Sequence, residues 1–339
     1  MPSEEVEMVR NSLREFLDGH AADLEESEES GFQEGFIRQF TEMGFLTCGL
    51  PERLGGPGLG DEAYLYVIHD TAARSPSLAL QTVALCSMLP PLFESAWDRV
   101  KTGPGGLRPP GLHIDASSGG DTVERGGSLL QGVVGPGSRQ FIAIRRERAF
   151  LLEGVRRDMG GTKVPLGGLR ALGTGDIEVV EVLSVHEFGN SGGSPMFLSR
   201  LGPEIGGAMA LGMAGAALGR AVEYASSRKA FGQSLSDLGV IGGRLALLSG
   251  TVALLTDMLP TIRSVDPARQ AAFKHAALTV SREATDLALQ AHGGYGYFQQ
   301  TGVERFYRDV IALEALLVRP DLDLEVASTA IFGRRSGYL

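Results

Sequence analysis

Three short stretches hold residue types that could do chemistry together: "RKAFGQ" from Arg228 to Gln233, "QAHGGYGY" from Gln290 to Tyr297, and "RFYRDV" from Arg305 to Val310. Arginine offers a planar cationic fork. Glycine lets backbone N–H groups approach an anion with no Cβ in the way. Anion binding, of a diphosphate above all, is the chemistry these types suit. Taken alone, each stretch has a plainer reading. Gly293 and Gly294 would make an ordinary helix C-cap, and Arg308 with Asp309 an ion pair on a helix surface. His113, His186 and His292 lack metal-ligand spacing, so no metal is expected, and no Ser-His-Asp arrangement can be argued.

The elements that must position these residues follow from composition and periodicity. A chain of 339 residues, 43% of them apolar, is long enough for two or three domains with sizeable cores. A net charge of -10 provides no general basic field, which argues against nucleic acid and anionic membrane as partners. Only Cys48 and Cys86 occur, far apart in sequence, so a disulfide framework is not indicated and a reducing cytoplasm fits best. The N-terminal "MPSEEVEMVR" is acidic where a signal peptide would be basic and then apolar. The longest apolar run, Ile205 to Gly219, falls short of the roughly 18 residues of a membrane span and reads as a buried helix.

Periodicity divides the chain into three parts. Val6, Val9, Leu13, Phe16 and Leu17, then Phe36, Ile37, Phe40 and Met43, recur at helical spacing. "GLPERLGGPGLG", Gly49 to Gly60, reads as a turn-rich connection, and "KTGPGGLRPPG", Lys101 to Gly111, as a domain linker. Beyond it "SLLQGVV", "QFIAI", "RAFLLEGV" and "GDIEVVEVLSV" read as short strands. From about Leu198 long helices return, with breaks at "RKAFGQ" and near Pro260 and Pro267, as a bundle.

An order of helices, strands and helices, with "RKAFGQ" ahead of "QAHGGYGY" and "RFYRDV", resembles the acyl-CoA dehydrogenase family over most of the chain. "FTEMGFLTCGLPERLGGPGL" is similar to that family's N-terminal Gly-hydrophobic-Pro-Glu stretch, and "GGLRALGTGDIEVVEVLSV" to the strand pair closing its middle domain. The resemblance implies an α+β fold with an N-terminal helical domain over 1–108, a small β-barrel-like domain over 109–195 and a C-terminal four-helix bundle over 196–339. It implies FAD lying across a subunit interface and an acyl-CoA or acyl-carrier thioester as substrate. Arg228 would then face the diphosphate, Phe231 and Gln233 the adjacent wall, and Gln290, Gly293 and Gly294 the ADP path.

The family's catalytic base is where the resemblance fails. Many members place a glutamate about nine residues after the Arg of the Arg-Asp pair, a position held here by Leu317; another branch places it about 26 residues before the Arg of the earlier motif, at Gly202. Neither side chain can accept a proton. Asp321, Asp323 and Glu204 lie near these positions and are the remaining carboxylate candidates, though capping or solvated roles suit each better. The flavin-covering Thr-Glu-Pro-x-x-Gly-Ser-Asp run is missing, and the only Trp, Trp97, lies outside the middle domain. The basic stretch from Arg139 to Lys163 could meet CoA phosphates, but Glu147, Glu153 and Asp158 within it make a solvated strand face the simpler reading.

Four functions follow as expectations. The first is an FAD-dependent dehydrogenase-type chain that supplies the ADP-binding half of the cofactor site to a catalytic homologue. The second is an active homo-oligomer with Asp321 as a displaced base. The third is a flavin-free module that binds acyl thioesters or proteins. The fourth is a flavin monooxygenase of the same fold.

Overall fold

The computed structural model describes residues 2–88, 111–115, 128–134, 140–145, 148–158, 167–172, 174–188, 202–317 and 320–333. The expected domain boundaries, the linker up to Pro110 and Trp97 fall outside the described residues.

Among the described residues, five helices open the chain: α1 (Glu4–Gly19), α2 (Ala21–Ser30), α3 (Glu34–Glu42), α4 (Gly60–Ala72) and α5 (Pro76–Val83), the last running on into a π turn, Ala84–Met88. Ser3 starts α1 by accepting from the Val6 N–H, and Ser75, followed by Pro76, starts α5 by accepting from the Leu78 N–H. The expected apolar stripes face inward: Val6, Leu13 and Leu17 on α1, and Phe36, Ile37 and Phe40 on α3, are all buried. The connection between α3 and α4 is turn-rich as its glycines require, with positive φ at Gly55, Gly58 and Gly60. Cys48 and Cys86, distant in sequence, meet in this core. Cys86 donates to the Leu46 carbonyl at 3.2 Å, and burial, with a hydrogen bond between the two thiols, pushes the Cys48 thiol up.

One buried carboxylate ties α1 to α4. Asp70 accepts from Arg10 Nε at 2.9 Å and Nη2 at 3.1 Å and from His69 Nδ1 at 2.8 Å, with Arg14 at 3.0 Å. Burial alone would raise its pKa, but the His69 and Arg10 hydrogen bonds win and lower it to about 2.

The strands are β1 (Gly111–Asp115), β2 (Ser128–Val134), β3 (Gln140–Arg145), β4 (Arg148–Asp158) and β5 (Thr174–Phe188). They close a barrel in the order β1-β2-β5-β4-β3, sealed by parallel pairing of β1 with β3 from Gly111↔Phe141 to Asp115↔Arg145. Four of the five coincide with the apolar runs read from the sequence; β1, "GLHID", is too short and polar to give that signal. "GGLRALGTGDIEVVEVLSV" is not the strand pair expected of it. Arg170–Leu172 is a 3-10 turn, and only the latter part is a strand. Leu169, Ala171 and Leu172 are buried, and a Cβ on Gly168 would overlap the Arg308 carbonyl. The segment is thus committed to packing on the helices.

The C-terminal helices are α6 (Pro203–Ser227), α7 (Gly239–Thr256), α8 (Pro267–His292), α9 (Val303–Leu317) and α10 (Pro320–Phe332). α8 packs on the other four. α6 is the expected buried helix, and its small residues allow close approach: a Cβ on Gly212 would overlap the His69 carbonyl of α4, and one on Gly207 the Phe273 ring of α8. Two of these helices, α6 and α7, are long and apolar enough to cross a membrane, more than the sequence reading allowed. α6 is core, with 72% of its apolar window buried, whereas only 17% of that of α7 is buried.

Candidate cofactor site

α6 ends at Ser227, and the chain turns back at once through a two-stranded hairpin, Lys229–Ala230 against Gln233–Ser234. Phe231 and Gly232 form its tip with φ of 53° and 84°, the pair of positive angles that a tight two-residue hairpin loop demands. Glycine adopts this freely. Phenylalanine does not, and a left-handed bulky residue costs on the order of 1–3 kcal/mol. The Phe231 ring is also 94% exposed. A strained backbone holding an aromatic ring in water is sensible when something else covers the ring.

Arg228 caps α6, its N–H donating to the Tyr224 carbonyl at 2.8 Å and its carbonyl accepting from Leu235 N–H at 2.9 Å. The backbone is therefore fixed while the guanidinium is exposed, with no ion pair to any described residue. Gln233, beside it, is exposed as well.

α8 ends close by. The Tyr224 ring of α6 stacks on His292 of α8 at 4.3 Å between centroids, and His292 is held by the Ala288 carbonyl at 2.8 Å. Gly293 follows at φ 58°, and neither Gly293 nor Gly294 has a heavy atom within 4 Å of where a Cβ would stand. The helix C-cap reading is thus correct for Gly293 and coexists with open space in front of it. Gln290 is exposed and donates to Asp286 at 2.7 Å. The stacked pair sets Arg228 and the two glycines at the same end of the α6–α8 pair. An exposed cationic fork, a bare aromatic face and a Cβ-free backbone together fit the ADP half of FAD.

The carboxylate candidates are placed differently. Glu204, in the first turn of α6, is buried and accepts from Arg263 Nε at 2.9 Å, while the same arginine pairs with Asp61 of α4. Its carboxylate folds back over Gly202, where a Cβ would overlap it. Asp323, on α10, holds the buried Lys274 ammonium of α8 at 2.7 Å. Asp321 stands in the first turn of α10, where a helix start favours an acidic residue; its side chain lies outside the described residues. Leu317 closes α9.

Arg308 and Asp309 do not pair on a surface. Arg308 grips Glu304 one turn back at 2.5 and 3.2 Å and donates to the Gly167 carbonyl at 3.0 Å. Asp309 points inward, is fully buried and accepts from the Leu169 N–H at 2.6 Å. Adjacent helix positions point about 100° apart, so consecutive residues face different surroundings. Together they dock the turn ahead of β5 onto α9.

Two family models match: the acyl-CoA dehydrogenase N-terminal domain over residues 3–101 and the acyl-CoA dehydrogenase C-terminal domain over residues 205–316. A Caffeyl-CoA reductase-Etf complex subunit of Acetobacterium woodii is 27% identical over 91% of this chain and 93% of its own. Butyryl-CoA dehydrogenase of Megasphaera elsdenii shares the fold at TM-score 0.77 and 19% identity, over 98% of this chain and 99% of that one. An acyl-CoA dehydrogenase of Bacillus anthracis, solved in complex with FAD, superposes at TM-score 0.77 and 17% identity, over 98% of this chain and 68% of that one. With both helical regions matched and full-length relatives on either side of the comparison, the chain belongs to the acyl-CoA dehydrogenase family.

Proposed function

We propose that this chain is an FAD-dependent acyl-CoA dehydrogenase-type oxidoreductase subunit that supplies the ADP-binding half of a flavin site to a catalytic homologue acting on an acyl-CoA or acyl-carrier thioester. The observation that carries this reading is Phe231, strained and bare at the tip of a hairpin beside the exposed Arg228. A flavin held there would supply the hydride acceptor for such a reaction, which also needs a carboxylate base. This chain's residues would do the holding: Arg228 would neutralise the diphosphate, Phe231 and Gln233 would wall it, and Gln290, Gly293 and Gly294 would let the ADP lie against backbone. None of them is a base. Glu204 and Asp323, the two carboxylate candidates whose side chains are described, are each paired with a cation of another element.

An oligomer suits α7. Val240, Leu247 and Leu254 recur every seven residues along α7 and are all exposed, which makes an apolar line for another subunit. On this reading α7 is covered by protein rather than lipid, the chain works in the cytoplasm, and neither membrane nor nucleic acid is a partner.

Arg228→Ala tests the site. A charge-assisted contact to a diphosphate contributes about 1.5–3 kcal/mol, so FAD affinity should fall by about tenfold to hundredfold with helical content unchanged. Flavin fluorescence titration of the purified oligomer measures this. Unaltered FAD affinity would make the likeness at "RKAFGQ" one of shape alone.

A further inference from the structure

The Tyr224 and His292 rings meet where α6 and α8 both end. They lie 4.3 Å apart between centroids with 22° between their planes, one ring on each helix. Tyr224 stands one turn before Arg228, and its carbonyl accepts the Arg228 N–H at 2.8 Å. His292 is the last residue of α8, directly before Gly293. A carbonyl can only accept, so His292 Nδ1 carries the proton it shares with the Ala288 carbonyl at 2.8 Å, which fixes the tautomer and the plane of the ring. The turn beyond is pinned to the same place. Gly293 N–H donates to the Gln290 carbonyl, and a Cβ on Gly296 would overlap the Leu289 carbonyl and stand 3.2 Å from the His292 Cβ. The cation and the Cβ-free backbone are thus each one hydrogen-bonded or covalent step from a ring of the stack.

We infer that Tyr224 and His292 are positioning residues for the dinucleotide: their stack holds the Arg228 fork and the Gly293–Gly294 backbone at the one spacing a diphosphate bridges, so the two halves bind as a unit. His292 is buried and reaches a ligand only through its neighbours. The need for such a device is physical. A diphosphate shared between a guanidinium on one helix end and open backbone on another gains from both only if both are in place before it arrives, because ordering them on binding costs affinity. Helix ends carry unsatisfied backbone groups and are the parts of a helix least held by its own hydrogen bonds. Two flat rings fix separation and tilt together, whereas an aliphatic contact fixes separation alone.

The inference rests on the ADP-holding reading of this site, and a double-mutant cycle separates the two. Tyr224→Leu keeps apolar bulk and removes the ring; FAD affinity, from flavin fluorescence titration of the purified oligomer, should fall by about three- to tenfold. Tyr224→Phe, which keeps the ring and loses only the hydroxyl, should stay within about twofold of the native protein. If the stack works by placing Arg228, it has little left to place once the fork is gone. In an Arg228→Ala background Tyr224→Leu should therefore cost less than about twofold more, a departure from additivity that a general loss of stability would not produce.

His292→Leu, which removes the other ring, repeats the cycle from α8 and should give the same pattern, so a failure of one variant to fold leaves the other to decide. Displacement of FAD by ADP alone, which engages only this half, should weaken in parallel. Equal losses from Tyr224→Leu with and without Arg228, or Tyr224→Phe as weak as Tyr224→Leu, would overturn the positioning role while leaving the ADP-holding reading in place. Full FAD affinity in Arg228→Ala itself would overturn both.

Discussion

Purified alone and supplied with FAD, the chain should not turn over acyl-CoA at rates on the order of 1–1000 per second, the ordinary enzyme range. Removal of a weakly acidic α-proton needs a base within hydrogen-bond reach of it, and proton transfer by a positioned group is worth about 10²–10⁴ in rate. The positions to which the family resemblance assigns a glutamate are held by Leu317, at the last residue of α9, and Gly202, the N-cap of α6. No environment turns either into a base. Glu204 is committed to Arg263 and Asp323 to Lys274. Asp321, in the first turn of α10, is placed as a helix-start residue. Asp321→Asn should therefore leave the activity of any complex with a catalytic partner nearly unchanged. Dye-coupled turnover over a panel of acyl-CoAs, for the lone chain and for the complex with each form, measures both. Ordinary turnover by the lone chain that Asp321→Asn abolishes would identify Asp321 as a relocated base.

Asp70→Ala should cost about 3 kcal/mol, because it strips a buried partner from Arg10 and leaves that cation half-buried between α1 and α4. The pH dependence identifies the cause. Asp70 titrates near 2 in the folded protein against an ordinary 3.8, so its contribution is present above the ordinary value and lost as pH falls through about 2. That displacement alone corresponds to about 2 kcal/mol. The stability gap between native protein and variant, from urea unfolding, should thus be constant above about pH 4 and narrow below it. A gap under about 0.5 kcal/mol at neutral pH would show that the network contributes no more than a surface pair does.

How much of this was readable beforehand depended on whether the signal was local. Helical stripes such as Val6–Leu13–Leu17 and the apolar strand runs declare themselves through spacing alone, and the RKAFGQ hairpin sits where its Gly232 needs it. Long-range commitments left no such trace. Nothing near Leu169 signals that its N–H belongs to Asp309, 140 positions on, or that Cys48 and Cys86 share a core. The glycines of α6 read as small residues, yet only the packed helices show which carbonyl and which ring fill the space. Likeness makes Phe231 a wall of the site; its positive φ and bare ring are properties of the folded hairpin. The apolar line of α7 could have been found by counting sevens from Val240, had exposure been suspected.

The central claim, an ADP-holding half without a base, is tested most directly by the flavin absorption band under anaerobic acyl-CoA. The measurement compares the FAD-loaded chain alone with the same chain combined with a homologue that retains its glutamate. The band should persist in the lone chain and bleach only in the combined oligomer. Bleaching of the lone chain at ordinary enzyme rates, or no flavin retained in either preparation, would contradict it.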